Sequence, residues 1–317
     1  MLVFIGVENH VPEVYHTPMN EIGALIEGMR LKSWTKNLFV FAAMLFGRVW
    51  TTGALLASVE AFLGFCLLSS SIYLINDTID SKKDLLHPTK KHRPIPSGRL
   101  GAKKALVFSV ALSAFVLAFS WILSPRLALV YTVYLTVQIA YSVRLKREVI
   151  LDCLIIAFGF VLRAMAGVAV LDDTGMEMIL SPWLIICTFF LASFLAFAKR
   201  RNEMAVLGNI ATDHRKNLRE YTTILLDQMM GVSAGASIMG YALYTVSQRT
   251  IEQVSPALWI TVPFVAYGVF RYMYLVYTKG LGGTPEKLLL SDRPMVLNIL
   301  LWAAVVFIAL RFHSASP

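Results

Sequence analysis

The chain is 317 residues long, 57% apolar and 15% charged, with a formal net charge of +9 and a mean hydropathy of +0.64. A soluble domain carries roughly 25% charged residues, so a disordered chain, a fibrous chain and most soluble globular folds are excluded. The apolar residues come in long blocks, and these predict an all-α, polytopic membrane helical bundle.

In chain order the candidate spans are 22–47, 52–75, 103–123, 126–143, 149–170, 181–198, 223–247, 256–277 and 294–312, about nine transmembrane helices, each near the ~20 residues needed to cross the hydrocarbon. Residues 1–20 read as a short N-terminal tail without signal-peptide organisation, and 21–313 as a single transmembrane domain. With the N-terminus in the cytoplasm, 23 of the 29 Lys and Arg fall inside and four outside, and Arg163 and Arg271 lie within spans. Cytoplasmic loops collect basic residues, so the two richest polar loops are expected to face the cytoplasm. The +9 charge is then topological, and no nucleic-acid partner is expected. Cys66, Cys153 and Cys187 sit in apolar blocks and read as buried thiols.

The second span ends in YLINDTIDSKKDLLHPTKKHRPIPSGRLG, from Tyr73 to Gly101. On a helix, Asp77, Asp80 and Asp84 fall within about 60° of arc, with Asn76 roughly 40° beyond Asp80. Carboxylates gathered at a membrane boundary repel one another and are costly to desolvate. A solvated helix end salt-bridged to Lys82 and Lys83 would relieve this, and so would a hard divalent cation. Mg²⁺ takes oxygen ligands and commonly bridges to substrate phosphates, and the basic run Lys90, Lys91, Arg93 suits a metal–diphosphate pair. Asn76, Asp77, Asp80 and Asp84 are therefore the candidate metal ligands, and the three aspartates the candidate catalytic residues.

The pattern Asn-Asp-x-x-Asp-x-x-x-Asp after an apolar span resembles the first aspartate-rich motif of the UbiA-type polyprenyltransferase superfamily. The extended stretch from Asn76 to Gly98 resembles one branch of it, the decaprenyl-phosphate phosphoribosyltransferases. LKSWTKNLFVFA from Leu31, FLASFLAFAKRRNEM from Phe190 and LLLSDRPM from Leu288 are similar to the same branch. The resemblance covers roughly Glu21 to Arg311. It implies a UbiA-like fold whose 21–313 unit is catalytic, in a bacterial-type inner (cytoplasmic) membrane, with the N-terminus and active site facing the cytoplasm. It also implies Mg²⁺ as cofactor, phosphoribosyl pyrophosphate as donor, a polyprenyl phosphate as acceptor, and a product feeding arabinose-containing glycans. Oligomeric state is not readable.

Many members of the superfamily carry a second acidic motif after the sixth span. Here that place holds Lys199-Arg200-Arg201-Asn202-Glu203, followed later by Asp213-His214-Arg215-Lys216. A basic triplet at a helix end serves either as a membrane anchor or as a phosphate site, since Arg binds phosphate bidentately. Donor and acceptor together present three anionic groups, and the resemblance favours the phosphate role for Lys199, Arg200 and Arg201. Lys36, beside Trp34, has the same two readings, as do Tyr141 and Lys146 in the run that closes the fourth span. Lys91 and Arg93 complete the phosphate-binding candidates.

Arg163, inside the fifth span, is expected to face a polar cavity or a partner on another helix. Its offset from Asp152 puts the two about 16 Å apart along the axis. Asp292 before Arg293-Pro294 reads as a helix N-cap, and Gly280, Gly282 and Gly283 as a flexible loop. The competing enzyme reading is a prenyltransferase acting on a prenyl diphosphate. A transporter is a third, but no inverted repeat is evident.

Overall fold

The computed structural model describes residues 21–47, 49–87, 89–172, 181–207, 220–283, 288 and 291–313. The expected tail at 1–20, Arg48, Asp213, His214, Arg215, Lys216 and Lys287 lie outside them. Among the described residues the fold is helical, without strands.

Helices α1 (Glu21–Met29) and α2 (Ala42–Phe46) flank a 3₁₀ segment at Leu31–Phe41. There follow α3 (Thr52–Asp84), α4 (Ala102–Leu123), α5 (Pro125–Val143), α6 (Leu151–Asp172), α7 (Pro182–Leu207) and α8 (Thr223–Val246). The short α9 (Gln248–Gln253), then α10 (Val262–Lys279) and α11 (Arg293–His313) complete the order. Eight helices among the described residues are long and apolar enough to cross a membrane: α3 to α8, α10 with the 3₁₀ turn before it, and α11. All eight correspond to spans expected from the sequence.

The ninth expected span, 22–47, differs in form: this stretch is not one continuous helix. Arg30 adopts the left-handed region (φ 53°) and ends α1. Eleven residues of 3₁₀ helix is long for a form that usually runs three or four. The register explains it. With three residues per turn, side chains at i and i+3 eclipse, so Trp34, Asn37 and Val40 line one face. Trp34 Nε1 donates to Ser70 Oγ (3.0 Å) and Asn37 Nδ2 to Ser69 Oγ (3.3 Å), both on α3. Val40 is fully buried and its carbonyl lies against Gly167 of α6, where an added Cβ would sit 2.0 Å from that oxygen. Gly167→Ala is therefore expected to destabilise the protein by about 1–3 kcal/mol. Gly231→Ala on α8, where a Cβ meets nothing within 4 Å, serves as the control in thermal melts of detergent-purified protein. Equal melting temperatures for the two variants would show that this contact does not fix the segment.

Helix α6 is the central element. In the window that would cross the membrane it is 61% buried, against 17% for α11, which faces outward. One apolar core joins α6 to the 3₁₀ segment, α2, α3 and α5, and a second joins its beginning to α7, α8, α10 and α11. Helix α8 approaches α7 closely at Gly240, where an added Cβ would meet the Cys187 backbone at 3.2 Å, in keeping with the small residues that membrane helices place at their contacts. Helix α1 is tied down by Arg99 to Glu27 (2.6 and 2.9 Å) and Lys104 to Glu21 (2.7 Å).

Candidate active site

The acidic motif lies on the last turns of α3, which continues past the expected end of its span and keeps Asn76, Asp77, Asp80 and Asp84 on one helix. Asp77 and Asp84 are buried, at 2% and 5% exposure. Each carboxylate is met by a cation from another part of the chain. Arg30 Nη2 donates to both Asp77 oxygens (2.5 and 2.6 Å). Arg93 Nη1 donates to Asp77 Oδ1 (3.0 Å) and Asp84 Oδ2 (2.7 Å), so one nitrogen bridges two carboxylates. Lys146, 8% exposed in the 3₁₀ turn Leu145–Arg147 after α5, donates to Asp80 Oδ2 (2.6 Å) and Asn76 Oδ1 (3.1 Å). Lys90 Nζ stands 3.9 Å from Asp84.

The donor set is all oxygen and suits Mg²⁺, which is commonly held by one or two carboxylates together with substrate phosphates. Among the described residues no three His, Cys, Asp or Glu side chains converge closely enough to enclose an ion by themselves. The oxygens come instead as two pairs, Asp77 with Asp84 and Asn76 with Asp80, each spanned by one cationic side chain. That arrangement fits an ion completed by phosphate oxygens.

The structure thus brings Arg93 and Lys146 onto the predicted acidic face, and adds Arg30, which belongs to none of the sequence motifs. Arg30 also sits 4.8 Å from the Tyr73 ring centroid. Nothing in the local sequence announces its left-handed backbone, which turns the side chain toward α3. Lys36 is half-buried on the 3₁₀ segment, Lys91 exposed in the turn Lys90–His92, Tyr141 half-buried near the end of α5, and Lys199 exposed on α7.

Two further predicted phosphate ligands, Arg200 and Arg201, pair with carboxylates away from the acidic face of α3. Arg200, 2% exposed, donates from Nε to Asp152 Oδ2 (2.7 Å) and from Nη1 to Glu203 Oε2 (2.8 Å). Asp152, on α6, is fully buried. Tyr221 donates its hydroxyl hydrogen to Asp152 Oδ1 (2.7 Å) and accepts from Ile150 N (2.7 Å). Burial pushes the Tyr221 phenol up, and the adjacent Cys153 and Asp152 add to the shift, so it remains a donor. Ile150 has φ 68°, a rare conformation for a β-branched residue, and this hydrogen bond helps hold it. Arg201 donates to Asp227 on α8 (2.5 Å) and lies 4.5 Å from the Tyr277 ring centroid.

Three lesser expectations resolve. Arg163 pairs with neutral groups: Asn37 Oδ1 (2.7 Å), Gly159 O (2.6 Å) and Tyr134 OH (3.1 Å). Asp292 is the N-cap of α11, accepting from Met295 N (3.1 Å), and also pairs with Arg271 (2.9 Å). That guanidinium hydrogen bond is the main reason its carboxyl lies below the usual range. The glycine stretch, expected as a flexible loop, is docked on α7. Asn202 Nδ2 donates to Gly280 O (2.5 Å), and a Cβ on Gly282 would lie 2.8 Å from Ala198 O.

Comparison with known proteins assigns this architecture. The model of the UbiA prenyltransferase family matches residues 37–290. The chain belongs to the UbiA prenyltransferase family. It is a membrane transferase by that membership. It is 34% identical over 306 residues to the decaprenyl-phosphate phosphoribosyltransferase of Mycolicibacterium smegmatis, covering 93% of this chain and 95% of that one. It is 31% identical over 305 residues to the protein of that name from Mycobacterium tuberculosis, covering 94% and 98%. A UbiA homologue from Archaeoglobus fulgidus, solved with GPP and Mg²⁺, superposes with a TM-score of 0.68 at 18% identity, over 91% of this chain and 99% of that one. Among UbiA members, the sequence likeness runs to the branch that the motifs resemble.

Proposed function

We propose that this chain transfers 5-phosphoribose from phosphoribosyl pyrophosphate to a polyprenyl phosphate of the decaprenyl type, giving polyprenylphosphoryl 5-phosphoribose and pyrophosphate. One observation carries the reading: the acidic face of α3 is interleaved with Arg30, Arg93 and Lys146, on a chain with near-full-length relatives named for that transfer. The charges are of the right kind for a donor and acceptor with three anionic groups between them. A site for a prenyl diphosphate and a neutral acceptor has one such group to hold.

Asp77, Asp80 and Asp84, with Asn76 as ligand or support, are the residues to hold Mg²⁺. When bound, it supplies neutralisation of the charge that develops on the diphosphate leaving group. Arg30, Arg93 and Lys146 orient the diphosphate, with Lys36, Lys91 and Lys199 as further contacts for the 5-phosphate and the lipid phosphate. As the C1–O bond to diphosphate breaks, C1 of the ribose gains oxocarbenium character and a lipid phosphate oxygen forms the new bond. That oxygen is already anionic near neutral pH, so no strong general base is required. Arg200, bound to Asp152 and Glu203, holds α7 in place, and Tyr141 lines the same end of the bundle. Residues 21–313 act as one catalytic unit, with this end and the N-terminus in the cytoplasm, as the distribution of Lys and Arg supports.

The test is to incubate detergent-purified protein with phosphoribosyl pyrophosphate, polyprenyl phosphate and Mg²⁺, and to follow pyrophosphate and the lipid product by mass spectrometry. Metal-dependent formation of the phosphoribosyl lipid is the expected result. Turnover of a prenyl diphosphate instead, in the same preparation, would overturn the donor assignment.

A further inference from the structure

The carboxylates that would receive the metal already hold cations, and the geometry of those ion pairs limits how the site can fill. Three carboxylates, Asp77, Asp80 and Asp84, face four cationic groups, Arg30, Lys90, Arg93 and Lys146. A divalent ion arriving alone meets an excess of positive charge and competes with Arg and Lys side chains for the carboxylate oxygens. The displaced group matters most at Lys146. It is 8% exposed, so its ammonium has little access to water and loss of the Asp80 carboxylate beside it is costly. A diphosphate arriving alone answers the cations but sets a second anion beside the carboxylates. When both arrive, the carboxylates pass to the metal and the Arg and Lys side chains to phosphate oxygens, and every charge keeps an opposite partner.

We infer that Arg30, Arg93 and Lys146 are exchangeable counter-ions that make the divalent metal and the diphosphate bind cooperatively, each weakly without the other. The inference rests on the reading of the α3 face as a metal–diphosphate site, but not on which donor carries the diphosphate. Coupling of this kind is reciprocal, so it is measurable from either ligand.

The probes are Mn²⁺ and inorganic pyrophosphate, added singly and together to the full-length protein in detergent, with melting temperature as the readout, since a ligand that binds the folded state raises it by mass action. The expected result is a joint shift larger than the sum of the single shifts, corresponding to at least about tenfold coupling. Lys146→Met should strengthen the response to Mn²⁺ alone and bring the joint shift toward additivity, whereas Lys146→Arg should keep the coupling. If Lys146→Met does not fold, Arg93→Gln carries the same expectation. Additive shifts in the unaltered protein, or full coupling in the charge-removing variant, would overturn the inference and leave the metal–diphosphate site standing. No shift with any ligand combination would overturn the site reading itself, and the inference with it.

Discussion

Asp77→Asn is expected to lower turnover by on the order of 10²–10³-fold, the loss typical when one electrostatic stabiliser of a developing charge is removed. Asp77 is the most committed of the three acids. It is 2% exposed and accepts from two guanidinium groups, Arg30 and Arg93, on opposite sides of the motif in sequence. The amide keeps the volume but withdraws the charge from a prospective metal ligand and from both arginines at once. Its NH₂ group also presents a donor where the arginines need an acceptor. The measurement is the initial rate of pyrophosphate release in the phosphoribosyl assay, with a thermal melt beside it to separate lost chemistry from lost fold. Activity within threefold of the unaltered enzyme would remove Asp77 from the site. Asp80→Asn tests a narrower role, because Lys146 is the partner that Asp80 shares with Asn76.

Arg200→Met is expected to destabilise the protein by about 3–5 kcal/mol, because breaking a buried pair strands its other member. That member is Asp152, fully buried, whose other carboxylate oxygen accepts from Tyr221. The companion experiment is the double variant Asp152→Asn with Arg200→Met. It removes both charges, and replacing a buried pair by neutral groups is often close to neutral, so it should recover most of the loss. Arg200→Lys should fall between, since an ammonium cannot reproduce the two-nitrogen reach to Asp152 and Glu203. Melting temperatures of the four proteins decide it. A single variant that melts with the unaltered protein would show that the pair does not hold α6 to α7.

The parts legible in the sequence are those fixed by neighbours within a few turns. The common face of Asn76, Asp77, Asp80 and Asp84 follows from 100° per residue, and α3 keeps that periodicity to Asp84. The cap at Asp292 is a three-residue interaction and was equally readable. The rest depends on partners far along the chain. Asp152 shares a helix with Arg163, but its partner is Arg200, 48 residues away, while Arg163 reaches Asn37 across 126. The stretch 22–47 has the apolar content of a span. Its break at Arg30 and its three-residue register are set by serines on α3 and a glycine on α6, which no window of hydropathy registers. The role of Arg30 is hidden in the sequence for the same reason, since it follows from the break.

The broken first segment also bears on how the chain enters the bilayer. A peptide can rest in hydrocarbon only when its polar backbone and side-chain groups are satisfied internally. This one interrupts its helical ladder at Arg30, and its Asn37 and Trp34 find their acceptors on α3. The carbonyl of Met29 likewise accepts from the Ser70 hydroxyl of α3. Residues 21–46 are therefore ill suited to partition singly during biosynthesis. Their polar groups are met by the serine face of Thr52–Asp84, so the shape of the first segment depends on having that helix beside it.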